Sequence, residues 1–170
     1  YLGAAHGALA GYETTVTRSF FSALKHGNKS VDCHENVLKL DPQFTDANMT
    51  IGLYNYVVGS LPFPVKIIAA VGGFTGSKKR GFELLRKVTE EGRLAQDDAR
   101  VLLIALNKRE KKYSDALKDL QELSRKYPAN YLIKLESADT MVRSGKAADS
   151  LPLFASLVED PKTSEIRDLI

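Results

Sequence analysis

Three histidines and one cysteine are the side chains best suited to metal or nucleophilic chemistry in this sequence. A transition-metal site on a helix needs spacings such as H-x-x-x-H or HExxH, which place two imidazoles on one face. His6, His26 and His34 offer neither, and no carboxylate stands at ligand spacing from both His26 and His34. They read as helix-surface or turn residues, and no metal is expected. Cys33, being alone, excludes an internal disulfide and any Cys-based metal site within the chain. A nucleophilic thiol would need a base beside it, but neighbouring His34 points elsewhere on a helix. Cys33 therefore reads as a small apolar core residue. Gly72, Gly73 and Gly76 precede Lys78, Lys79 and Arg80, types that could cradle a phosphate. The G-x-x-x-x-G-K-[ST] spacing is absent and no strand is predicted ahead of them. They read as a tight return before a helix. Asp97 and Asp98 precede an apolar run, where acids cap a helix and complement its dipole. No Ser/His/Asp set is identifiable, so no catalytic residue and no cofactor is expected, and the chain reads as a non-enzyme.

The 170 residues are 44% apolar and 26% charged, which excludes a disordered chain. Against 21 acidic residues stand 24 basic ones, a net +3 too mild to argue for nucleic acid. Residues 76–126 hold fourteen basic and nine acidic side chains. Aromatics do not interleave with them, so they read as solvated helix faces, with no nucleic-acid partner expected. Val57–Phe74 is the longest apolar stretch, but Pro62, Pro64 and Lys66 interrupt it. A buried hairpin or surface-inserted loop is expected there in place of a membrane span. The chain opens at Tyr1 without a Met or a basic segment leading into an apolar one, so it reads as a processed or truncated piece. A soluble protein is expected, and one thiol fits either cytoplasm or periplasm.

The elements that position these residues are predicted from period. Residues 97–130 carry two helical stripes, Val101, Leu102, Ala105 and Leu106, then Ala116, Leu117, Leu120 and Leu123, ended by Pro128. Two antiparallel helices joined by a tight turn result. A second unit, 131–161, follows without a gap, with Ala138, Gly145 and Phe154 at matching positions and Pro161 closing it. Upstream, 11–44 reads as a degenerate pair with a displaced loop at Lys25–Asn28, preceded by an apolar helical segment. Residues 45–92 read as a pair split by an apolar insert, 60–75. Gly52 and Gly81 take the small-residue positions of its two helices, and either Gly59 or Gly76 can fill its turn. Each pair buries its stripe only by stacking on neighbours.

With Asp97 as position one, Ala99, Tyr113, Ala116, Leu120 and Pro128 fall where the tetratricopeptide repeat has its signature residues, and this unit resembles that repeat. Arg100, Ile104 and Leu123 depart from it, suggesting looser helix crossing. The run IGLYNYVVGSLPFPVKIIAAVGGFTGSKKRGFELLRK is similar to the distinctive segment of the tetratricopeptide repeat protein 39 family and its bacterial relatives. Gly52, Tyr54 and Asn55 match its G-x-[YF]-[ND] helix, and Ser60, Leu61 and Pro62 its SLP insert. Gly73, Phe74, Gly76, Ser77, Lys78 and Gly81 match its glycine-rich turn, and the likeness covers most of the chain. The resemblance implies an all-α tetratricopeptide-like superhelix without a catalytic role.

In such a solenoid the first helix of each pair lines a concave groove. The residues expected there are Tyr12, Met49, Leu53, Tyr56, Val101, Ala105, Lys108 and Leu135. The groove is expected to be apolar with acidic and tyrosine accents, suited to a protein or peptide partner in helical or extended form. Two fates are open for the insert: it fills that groove, or it is exposed. An exposed insert could mediate dimerisation, or use Leu61, Phe63, Ile67 and Ile68 as a membrane-contacting wedge beside Lys78, Lys79 and Arg80.

Overall fold

A computed structural model describes residues 1–159, and the closing Pro161 lies outside them. Among the described residues the chain is helical throughout, with no strand. It divides into two compact units, Tyr1–Arg100 and Val101 onward.

In the first unit, α1 (Leu2–Thr15) and α2 (Phe20–Leu40) form an antiparallel hairpin. Glycine sets their approach: a Cβ on Gly3 would lie 2.6 Å from the His34 ring, and one on Gly7 3.4 Å from Ser30 Oγ. The Ser30 hydroxyl donates to the Gly3 carbonyl at 2.6 Å. The loop expected at Lys25–Asn28 is not there. Helix α2 runs through it, and the turn is at 16–19, where Arg18 takes φ 54°. Gly27, inside the expected loop, stays helical with its bare Cα facing the Tyr54 ring, where a Cβ would sit 3.1 Å away. That packing outweighs a helix-propensity cost of about 1 kcal/mol.

A 3-10 turn (Thr45–Ala47) leads into α3 (Asn48–Gly59), which pairs antiparallel with α5 (Lys78–Glu91). Gly52 and Gly81 meet where they cross. A Cβ on Gly81 would stand 2.8 Å from the Gly52 carbonyl and from Tyr56 Cβ, so only glycine permits this separation. Between the paired helices the chain leaves and returns. Gly76 packs against the end of α3, its Cβ position 3.0 Å from the Gly59 nitrogen. The two glycines that competed for one turn position thus lie side by side and pinch the excursion at its base. Within it, α4 (Phe63–Val71) starts after Pro62 with Pro64 in its first turn, where a missing N–H costs nothing. Gly73 makes the return with φ +84°. Ser77 Oγ then caps α5, accepting from Arg80 N at 3.4 Å.

Helix α6 (Gln96–Arg109) crosses from the first unit into the second. Ile104 on it packs against Ala116, Leu120 and Leu123 of α7 (Tyr113–Lys126), with Leu117 and Ile133 at the margin. Asn130 caps α8 (Tyr131–Arg143), its Oδ1 accepting from Leu132 N and Ile133 N. Gly145, φ +84°, turns the chain into α9 (Ala147–Glu159), which packs on α8 and buries Ser150 and Leu157.

Candidate functional site

The first unit carries an apolar groove of about 270 Å³ between α1, α2 and α3. Gly7, Ala10 and Gly11 line it from α1, Phe20, Leu24 and Gly27 from α2, and Leu53, Tyr54 and Val57 from α3. The absent glycine side chains make it a trough. Three of its hydroxyls are hydrogen-bonded within the chain: Thr14 Oγ1 donates to the Ala10 carbonyl, Ser30 Oγ to Gly3, and the Tyr54 hydroxyl to Asn28 Oδ1 at 3.3 Å. Burial, and then the nearby negative charge of Asp32, push the Tyr54 phenol up to about 12, so it stays a neutral donor. No charged side chain lines the trough. Recognition there must be apolar.

Of the groove residues expected from sequence, Leu53 lines this trough. Tyr12 is exposed on α1 and Met49 half-buried on α3, both outside the lining. Tyr56 is fully buried, edge-on to Phe82 at 5.5 Å, and is a core residue, not a groove residue. It stands at the α3/α5 crossing, where a Cβ on Gly81 would meet its backbone nitrogen and its Cβ at 2.8 Å. In the second unit Val101 and Ala105 are exposed and Leu135 half-buried. Lys108 on α6 is engaged by Glu136 and Asp139 of α8, the latter at 2.8 Å, and Arg143 Nε also donates to Asp139. Burial would lower the Lys108 pKa, but these carboxylates outweigh it and raise it. Sequence spacing placed Lys108 without revealing that it is already paired.

The insert does not fill the trough, since none of residues 60–77 lines it. Ala69 is buried against Leu24 and Val58, with Leu61 and Phe74 partly buried beside them. Leu61 is therefore an anchor, which corrects its place in the expected wedge. Phe63, Ile67 and Ile68 are exposed.

Asp46 emerges as a structural centre. Its buried carboxylate accepts from the backbone N–H groups of Arg93, Leu94 and Ala95 at 2.7–3.1 Å, tying the 3-10 turn to the chain entering α6. Gly92 allows this approach, because a Cβ there would meet Asp46 Oδ1 at 3.0 Å. Burial alone would raise the carboxyl pKa. The Ala95, Arg93 and Leu94 donors prevail and hold it below the ordinary range. His6 and His26 stack across α1 and α2 with their Nδ1 atoms 3.1 Å apart. His34 Nδ1 donates to the Ser30 carbonyl, and Cys33 is half-buried. Among the described residues no three His, Cys, Asp or Glu side chains converge as a metal site would need. No helix among them is long and apolar enough to cross a membrane.

Comparison of the chain with protein-family models, curated proteins and solved structures gave no match.

Proposed function

We propose that this chain is a non-catalytic tetratricopeptide-like scaffold that binds an amphipathic helix or extended segment of a partner protein in the α1–α2–α3 trough. The observation carrying this reading is the trough itself: open, apolar, glycine-floored, and with its hydroxyls already satisfied. Such a surface has nothing to offer a substrate that must be polarised or attacked. It suits aliphatic or aromatic anchors spaced along one face of a ligand helix. The small-residue crossing of Gly52 with Gly81, and the buried Ala116 and Ala138, support the tetratricopeptide-like reading of the helix pairs.

Selection of a displayed random-peptide library on the full chain tests this proposal. The expected winners carry two or more apolar anchors, and Leu53→Arg removes their binding while the protein stays folded. Winners that are uniformly charged and indifferent to Leu53→Arg would contradict it.

A further inference from the structure

We infer that α4 is an interfacial wedge that seats this protein on an anionic lipid surface, independently of the trough. A solvated helix normally turns polar residues outward. Helix α4 does the reverse: Phe63 (78% exposed), Pro64, Ile67 (51%), Ile68 (56%), Ala70 and Val71 (87%) make up its outer face, while small Ala69 is its buried contact. At 100° per residue these six side chains fall within one continuous arc. No polar side chain interrupts it.

Charge identifies the occupant. From Ala47 to Phe82 the sequence holds no Asp or Glu, and its charged residues are Lys66, Lys78, Lys79 and Arg80. The segment that carries α4 is thus cationic, although Lys79 lies 3.8 Å from Glu83 and Arg80 shares a surface hollow with Glu35. Two of these cations stand at the pinched base of the excursion: Lys66 Nζ donates to the Gly59 carbonyl at 3.3 Å, and the Lys78 backbone nitrogen packs against Gly59. An apolar face projecting from a cationic base matches a bilayer, in which acyl chains lie beneath anionic headgroups. At nine residues α4 is too short to span and long enough to lie in the interface plane.

The chain contains no tryptophan, so Phe63→Trp gives it a single reporter on the outer face. Mixed with vesicles of phosphatidylcholine containing phosphatidylserine, this variant should show a blue-shifted emission that brominated acyl chains quench. Vesicles of phosphatidylcholine alone should give a much smaller response. Adding Ile67→Asp should weaken the partition at least tenfold, and Lys79→Glu with Arg80→Glu about tenfold or more. Because the substituted positions are exposed, circular dichroism should confirm that each variant remains folded. Absence of a blue shift on anionic vesicles would overturn the proposal, as would a shift that survives Ile67→Asp. A shift that develops with protein concentration alone, without vesicles, would assign the face to a second copy and overturn it equally.

Discussion

A single carboxylate, Asp46, holds together segments 47–49 residues apart by accepting from three backbone donors. Asp46→Ala should cost about 3 kcal/mol in chemical denaturation, since the donors lose a charged acceptor. Asp46→Asn, which keeps one acceptor oxygen, should cost less. The pH dependence follows from the direction of the shift. With the folded pKa below the unfolded value of about 3.9, the stabilisation is complete above that value and disappears as pH falls through the folded one. Melting temperatures of wild type and Asp46→Asn should therefore converge below about pH 4. A constant gap through that range would contradict the assignment. Glycines give a matched test of packing. Gly81→Ala forces a Cβ to 2.8 Å from two backbone atoms and should destabilise by about 1–3 kcal/mol, whereas Gly11→Ala meets nothing within 4 Å and should stabilise by about 0.5–1 kcal/mol.

At the scale of elements, the α6/α7 hairpin depends on Ala116 being small, for it is fully buried against Ile104. Ala116→Leu should overpack that crossing and cost about 1–3 kcal/mol, and an unchanged melting curve would contradict the register. This crossing was legible from sequence, as was Gly52 with Gly81, because close helix approach demands a missing or minimal side chain at a fixed spacing. Ser150, equally buried at the corresponding position of α9, escaped notice since serine also reads as a surface residue. The α2 boundary departs from the sequence expectation for the opposite reason. Gly27 signals a turn locally, and the Tyr54 ring that keeps it helical comes 27 residues later. Tyr56 shows the same limit at the site. Its period places it beside Leu53, but it sits at the crossing of α3 with α5, against Gly81, which a one-dimensional stripe does not register. The identity of the insert as an excursion was legible; its internal division into anchoring Ala69 and Leu61 and outward Phe63, Ile67 and Ile68 was not, since every one of them is apolar.

At the scale of the whole molecule, the helix pairs are the scaffold and α4 is an appendage hung from one of them. Composition and period made the all-helical class readable, while the trough depended on glycines from two helices, Gly7, Gly11 and Gly27, meeting in space. In this architecture α3 and α5 form a hairpin without needing what lies between them. Because Gly59 and Gly76 already abut, residues 60–75 can be removed and the two glycines joined directly. The thermal unfolding of that deletion variant, followed by far-UV circular dichroism, measures this most directly. The expected result is a helical protein that still melts in one cooperative step, with about 2–4 kcal/mol lost with the Ala69 and Leu61 contacts. Loss of helical signal, or a broad non-cooperative melt, would contradict the account.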